Sequence, residues 1–250
     1  MIAVTRRLPL FHARIALRRM YALVALSLVF ALHSSLPCRA QSPSEVAKIV
    51  AGLPAPAQAV VTRLSSLSVL PEGSWKMHSG DLAHGETVGL DESGWQAIAN
   101  RAKAPKDAVW FRQTIAVPAT LSGYDLTGSR IWFQFHASAN GPMPQILYFN
   151  GRRVAMGDDL EPVVLFDEAK PGDKITVAVK LLHTVDEKTF RGATLRIDFP
   201  ATRPNPSDLL TEFLSAAMLV PSLAPGDAAK MTTLTDAIEA VDLKIGRAHV

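Results

Sequence analysis

Acidic residues are the side chains of this chain whose type and spacing could do chemistry. Asp158, Asp159 and Glu161 follow a predicted hairpin, and Asp186 stands beside Glu187 in a predicted loop. Two facing carboxylates hydrolyse a glycosidic bond when one supplies a proton and the other attacks the sugar or activates water. Adjacent acids in loops are more often solvated turn residues. We therefore predict that these acids are not catalytic, and the sequence offers no catalytic residue.

Other kinds of active site have no sequence pattern here. The chain contains no HExxH zinc motif, no G-x-S-x-G nucleophile motif and no glycine-rich phosphate loop. Two histidines, His136 and His183, fall in or beside predicted strands, where they are expected to be sandwich residues rather than ligands. All seven histidines are scattered: His12, His33, His78, His84, His136, His183 and His249. We predict no metal site and no cofactor in this chain, and the sequence identifies no carbohydrate-binding residue.

The first 40 residues have the pattern of a secretory signal peptide. They contain six arginines and no acid, an apolar run over residues 21–32, and small residues at Cys38 and Ala40. The run is shorter than the roughly 20 residues of a membrane span, which argues against an anchor. Pro37 argues against a lipoprotein box, and neither Arg-Arg pair has the rest of a twin-arginine motif. We predict cleavage near Ala40–Gln41, a periplasmic or secreted protein, and no membrane attachment after cleavage.

Removal of this segment would change the charge and the cysteine content. The chain has 26 basic and 23 acidic residues, and loss of the six arginines leaves 20 basic residues against 23 acidic ones, a formal net charge of −3. Such a balance argues against nucleic acid as a partner. Cys38 is the only cysteine, so we expect neither a disulfide nor thiol chemistry in the mature chain.

Residues 73–200 are predicted to form an antiparallel β-sandwich. Short segments with a period of two alternate with turn residues, which is typical of this fold class. Asn150–Gly151 supplies the two positive φ angles that a tight hairpin needs. The predicted strands cover residues 110–117, 130–136, 145–149, 152–155, 163–166, 174–181 and 193–199.

A helical leader precedes the predicted sandwich, and a helical segment follows it. The leader covers residues 41–72 and contains a helix that Ser44 can cap. After a proline-rich linker, a helix is predicted that Ser207 or Asp208 can cap and that ends at Leu219, and a second helix is predicted from about Asp227 to Leu243.

The region after the sandwich predicts that a further domain follows. The apolar stripes of the two helices lack partner elements downstream, so residues 201–243 are expected to lead into a catalytic domain that this chain lacks, and to pack against it. Residues 244–250 have no cap and no periodicity. They are predicted to be a non-native tail, with a frayed natural end as the alternative.

Three motifs occur in an order that resembles a known domain. They are D-x-S-x-W at Asp91–Trp95, W-F-R at Trp110–Arg112 and Y-F-N-G at Tyr148–Gly151. Together they resemble the galactose-binding-like jelly roll that precedes the catalytic domain in many glycoside hydrolases. With the leader and the paired helices, the chain looks most like the N-terminal region of a bacterial family 38 α-mannosidase. That resemblance implies a zinc-bound catalytic domain with an aspartate nucleophile, for which no segment is present.

The aromatic residues in and near the three motifs are predicted to have structural roles. Trp110 and Trp132 are predicted to be core residues. Arg112 is expected to pair with an acid such as Asp91 rather than to touch a substrate. A sugar contact would need an exposed aromatic ring, and the modest candidates are Tyr124, Tyr148 and Trp95.

Three functions remain open at this point. The first is the non-catalytic N-terminal part of an exported α-mannosidase, whose parent hydrolyses α-mannosidic bonds in glycans. The second is a stand-alone secreted carbohydrate-binding or adhesion module. The third is a fragment of a family 2 type β-glycosidase, which would have a second sandwich soon after residue 200.

Overall fold

The structure is a computed structural model that describes residues 43–241. The predicted signal peptide and the predicted non-native tail lie outside the described residues. The helices are α1 Pro43–Ala51, α2 Ala55–Ser68, α3 Pro206–Leu223 and α4 Ala228–Glu239. The strands are β1 Trp75–Ser79, β2 Gln96–Ile98, β3 Lys103–Ala104, β4 Val109–Ala116, β5 Thr120–Leu121, β6 Tyr124–Asp125, β7 Arg130–Ser138, β8 Gln145–Phe149, β9 Arg152–Gly157, β10 Val163–Phe166, β11 Lys174–Leu181 and β12 Lys188–Asp198.

Two antiparallel sheets enclose the core. The larger sheet has six strands in the order β2-β1-β4-β11-β8-β9, and the smaller has four in the order β10-β7-β12-β3. Strands β5 and β6 form a separate small hairpin. The predicted fold class, a mainly β antiparallel sandwich with helices on either side, is confirmed. The β8–β9 turn is also as predicted, with φ of 47° at Asn150 and 78° at Gly151.

The core follows from the period of two in the strands. Ile131, Phe133 and Phe135 on β7 are buried, and the residues between them face the other way. Phe111 of β4 stacks on Phe190 of β12 with ring centroids 5.2 Å apart, which joins the two sheets through aromatic contact.

Helix α2 links the sandwich to the helices that follow it. Leu64 and Leu67 on one side of α2 are buried in the sandwich core. Ala57 and Val61 belong to a second buried cluster with Ala217 of α3 and Ile238 of α4, which are also buried. The apolar stripes of α3 and α4 therefore pack in part on α2, and Phe213, Leu214 and Leu234 remain half-buried.

The ends of the helices differ from the sequence expectation. Helix α3 begins after Asn205, whose side-chain oxygen accepts a hydrogen bond from the Ser207 backbone N–H. It continues through Pro221 to Leu223, beyond the predicted end at Leu219. Helix α4 ends at Glu239 rather than at Leu243. Between residues 43 and 241, no helix has the combination of length and apolar character needed to cross a bilayer.

Candidate functional site

The three motifs meet on the outer face of the six-stranded sheet. Because side chains alternate along β4, Trp110 and Arg112 point away from the core that holds Phe111. Segment 80–95 lies over them and brings Glu92 and Trp95 to the same place. We call these residues, with Tyr148 of β8, the covered cluster: Glu92, Trp95, Trp110, Arg112 and Tyr148.

Arg112 attaches segment 80–95 to the six-stranded sheet. Its side chain is only 2% exposed. Its Nε atom donates to Glu92 Oε1 at 3.0 Å, and its two terminal nitrogens donate to the backbone oxygens of Gly85 at 2.6 Å and Thr87 at 3.0 Å. A guanidinium offers five donors in a rigid plane, so one side chain can satisfy a carboxylate and two carbonyls together.

Aromatic packing completes the covered cluster. The rings of Trp110 and Tyr148 lie 5.7 Å apart, and the Arg112 guanidinium lies 5.6 Å from the ring of Trp95. Gly85 rests on Trp110 so closely that a Cβ atom there would lie 2.7 Å from the indole ring. Only glycine leaves the segment this close to the sheet.

The predicted partner of Arg112 is wrong by one residue. Glu92 rather than Asp91 binds the guanidinium, and it also binds the Lys76 ammonium at 2.9 Å. Burial raises the pKa of Glu92, but the hydrogen bonds from Lys76 and Arg112 outweigh it and leave that pKa below its ordinary value. The shorter Asp91 side chain instead accepts from the backbone N–H and the hydroxyl of Ser93, which lower its pKa.

The acids that could have formed a catalytic pair are solvated turn residues. Asp158 accepts a hydrogen bond from the backbone N–H of Met143, and Asp186 accepts one from the Asn140 amide. Asp158, Asp159, Glu161, Asp186 and Glu187 are all exposed. Asp186 and Glu187 line an open depression of about 420 Å³ with Lys103, Ser138, Ala139, Asn140 and Thr189.

The two histidines of the predicted strands, His136 and His183, contact polar side chains of the same domain. His136 Nε2 lies 2.8 Å from the hydroxyl of Thr194, and burial lowers the pKa of His136 while Glu72 and Asp159 act in the opposite direction. His183 is exposed and lies 3.2 Å from Asp107. Among residues 43–241, no group of three His, Cys, Asp or Glu side chains could hold a metal ion.

Lys188 is a buried cation that sequence reasoning missed. Its side chain is fully buried, and its ammonium donates to the backbone oxygens of Pro105, Lys106 and Asp107 at 2.8–2.9 Å. Burial lowers the pKa of Lys188, and the Asp107 carboxylate opposes that change. Three carbonyls match the three donors of an ammonium, so this residue fixes the loop before β4. Nothing in its sequence surroundings distinguishes it from a surface lysine.

The outer face of the four-stranded sheet is open. Its residues, here called the open face, are Arg130, Trp132 and Gln134 of β7 with Thr194, Arg196 and Asp198 of β12. The indole N–H of Trp132 donates to Asp198 at 2.6 Å. Trp132 is half-buried on this surface, so the prediction that it belongs to the core is wrong. The alternation in Arg130–His136 could have shown this, because Phe133 and Phe135 take the inward positions.

The aromatic candidates for a sugar contact are covered. Tyr124 is 3% exposed and donates its hydroxyl hydrogen to the backbone oxygen of Pro204, and burial raises its pKa. Trp95 is 8% exposed, and the half-buried Tyr148 packs on Trp110 within the covered cluster.

The fold is similar to solved structures of glycoside hydrolases over about half of this chain. A glycosyl hydrolase family 2 member from Bacteroides cellulosilyticus DSM 14838 matches over 54% of the chain, with 19% identity and a TM-score of 0.42. A β-glycosidase from Bacteroides vulgatus matches over 53%, with 14% identity and a TM-score of 0.41. Bacteroides uniformis β-glucuronidase matches over 50%, with 14% identity and a TM-score of 0.39. Comparison with protein-family models and with curated proteins finds no match.

The predicted relationship to family 38 α-mannosidases is wrong. The three solved structures named above are a family 2 glycosyl hydrolase, a β-glycosidase and a β-glucuronidase, and none is an α-mannosidase. That prediction depended on the leader and the helix pair, which pack on each other. The matches cover 21%, 20% and 17% of the three solved chains, so this chain spans about a fifth of their length. With identities of 14–19% and TM-scores of 0.39–0.42, they assign no activity to it.

Proposed function

We propose that this chain is a non-catalytic β-sandwich domain of an exported β-glycosidase of the family 2 type. The ordered motifs resemble the jelly rolls of glycoside hydrolases, and of the two glycosidase families considered from the sequence only family 2 remains. The arginine-rich, acid-free first 40 residues support export.

The covered cluster is the observation that carries the non-catalytic role. The residues that carry the resemblance are used to attach segment 80–95 to the sheet, since Arg112 makes three hydrogen bonds to that segment. Asp186 and Glu187, which line the open depression, are adjacent exposed residues of one loop, whereas hydrolysis of a glycosidic bond requires two carboxylates that face each other. The domain therefore contributes architecture to its parent enzyme, and the chemistry belongs to another part of that enzyme.

Turnover assays on the purified chain test the non-catalytic role. We expect no release of 4-nitrophenol from the β-glucoside, β-galactoside, β-glucuronide or α-mannoside of 4-nitrophenol. Release that is lost in Asp158→Asn or Asp186→Asn would overturn the proposal, because it would locate an active site in this sandwich.

Sequencing the genomic locus beyond the codon for Leu243 tests the parent enzyme. An open frame that continues into a second β-sandwich and a catalytic domain with two carboxylates supports a family 2 parent. A stop codon shortly after Leu243 contradicts it and favours the second candidate, a stand-alone module. One observation favours that candidate: α2 packs on part of each helical stripe within the chain.

A further inference from the structure

The chain contains two Asn–Gly pairs, Asn140–Gly141 and Asn150–Gly151, in different surroundings. Such a pair can modify itself, because glycine has no side chain to shield its backbone nitrogen from the side-chain amide of the preceding asparagine. Asparagine is for this reason among the chemically labile residues of proteins. The contacts that each pair makes decide which of the two is free to react.

The Asn150–Gly151 pair is fixed in its turn by contacts with two other parts of the chain. The Asn150 backbone N–H donates to the Thr176 backbone oxygen at 2.8 Å, and the Asn150 Oδ1 atom accepts from the Thr176 backbone N–H at 2.9 Å. A Cβ on Gly151 would lie 3.5 Å from the Glu86 backbone oxygen, so segment 80–95 lies beside the turn. The side chain of Asn150 must therefore break its bond to β11 before it can turn towards the Gly151 nitrogen.

The Asn140–Gly141 pair lies in the loop between β7 and β8, residues 139–144. Both residues are exposed, and a Cβ on Gly141 would meet no atom within 4 Å. The Asn140 amide nitrogen donates to Asp186 Oδ2 at 2.7 Å, in a bond that is exposed to water. An exposed bond between two loops restrains a side chain less than bonds to a central strand of a sheet do. The side-chain carbon of Asn140 can therefore approach the Gly141 nitrogen more easily than Asn150 can approach Gly151.

We propose that Asn140 is a site of spontaneous covalent modification in the folded chain and that Asn150 is protected from the same reaction. The Gly141 backbone nitrogen attacks Asn140 Cγ and forms a new C–N bond, which closes a succinimide ring. The bond from Cγ to Nδ2 breaks, and the side-chain nitrogen leaves as ammonia with the proton that the Gly141 nitrogen loses. Water then opens the ring at either carbonyl, which gives aspartate or isoaspartate at position 140. This inference is independent of the proposed function.

The modification changes the charge of the open depression beside Asp186. Asn140, Asp186 and Glu187 line this depression together with Lys103. The amide of Asn140 donates a hydrogen bond to Asp186, whereas a carboxylate at position 140 would face Asp186 with a charge of the same sign. The reaction therefore removes a contact between loop 139–144 and the loop that contains Asp186, and it adds one negative charge to the chain.

Ageing of the purified chain tests the proposal. The folded chain is kept at mildly alkaline pH, and samples taken over time are digested with trypsin and analysed by tandem mass spectrometry. Trypsin leaves both pairs in one peptide, Ile131–Arg152, so fragment ions assign each gain in mass to its asparagine. We expect position 140 to react at least about tenfold faster than position 150, because Asn150 must first give up its two hydrogen bonds to Thr176.

The unfolded chain is the control for the effect of sequence. In concentrated guanidinium chloride both pairs lose their contacts, so their rates should agree within about threefold. Asn140→Gln is the matched variant, because a longer side chain does not close the same ring; it should remove the reaction at position 140 and leave the rate at Asn150 unchanged. Thermal melting shows that this variant is folded. No gain in mass at position 140 in the folded chain, an equal gain at position 150, or a difference that persists after unfolding would overturn the proposal.

Discussion

The outer faces of the two sheets carry similar residues in opposite surroundings. On β4, Trp110 and Arg112 are two positions apart and point outward, and on β7 the same holds for Arg130 and Trp132. Segment 80–95 covers the first pair and leaves Arg112 2% exposed. No segment in the described residues covers the second pair, and the Arg130 side chain is 49% exposed. Alternation thus decides which face a side chain lies on, and not whether water reaches it.

The difference in covering changes what each arginine does for stability. Arg112 satisfies two backbone carbonyls and a carboxylate beneath a loop, where a lost partner leaves polar groups without water. Arg130 and Arg196 pair with surface carboxylates, and water and salt screen such pairs. We therefore expect the covered cluster to stabilise the fold more than the ion pairs of the open face do.

Replacement of one arginine on each outer face is expected to give the largest difference in stability between the two faces. We expect Arg112→Met to lower the free energy of unfolding by about 3 kcal/mol, because Glu92 loses a partner and two carbonyls become unpaired. The matched change on the open face, Arg196→Met, should cost about 0.5 kcal/mol or less. Urea unfolding of both variants measures the contrast, and equal losses would show that segment 80–95 does not shield Arg112.

Two glycines of the covering segment sharpen the comparison. Gly85→Ala would place a Cβ 2.7 Å from the Trp110 ring, so the segment must move away from the sheet. We expect a loss of about 2 kcal/mol in stability and a red shift in tryptophan fluorescence as water reaches Trp110. A Cβ at Gly94 meets no atom within 4 Å. Gly94→Ala, the matched control, should leave both readouts unchanged, and an equal effect at both positions would refute close packing at Gly85.

Acid should weaken the covered cluster through Glu92. The pKa of this group is lowered in the folded state, so its contribution to stability is present above the ordinary glutamate pKa and is lost as the pH falls through the lowered value. The stability difference between the unaltered chain and Glu92→Gln should therefore shrink between about pH 7 and about pH 3. Urea unfolding at each pH measures it, with Glu161→Gln, a change at an exposed acid, as control. A constant difference for Glu92→Gln would contradict the ion pairs with Lys76 and Arg112.

Strong local patterns made much of the fold predictable. Lys174–Leu181 alternates cleanly and forms a strand with those bounds, and Asn150–Gly151 makes its turn because few residue pairs accept two positive φ angles. Short strands such as Gln96–Ile98 and Lys103–Ala104 were not predicted, because they have too few residues to show a period. Their partners hold them in place.

The candidate site was less predictable, because its assignments depend on contacts across the chain. The motif residues were identified, but Glu92 rather than Asp91 reaches Arg112, since Asp91 bonds within its own turn. Trp132 was assigned to the core although the alternation around it indicated the outer face. Aromatic side chains are usually expected to be buried because they are large and apolar. The inward or outward position of the residue in its strand is the better guide to its burial.

Sequence alone determined the antiparallel sandwich and the Asn150–Gly151 turn, and it contains no recognisable catalytic motif. Tertiary structure decided which outer face is covered, since Arg112 binds Gly85, 27 residues away. It also buried Lys188 against Pro105, 83 residues earlier, and packed α2 on one side of the late helices. The local backbone sets the alternation of side chains, so the sequence of a strand predicts which residues share a face. Burial of an outer face depends on whether a segment that is distant in sequence packs over it.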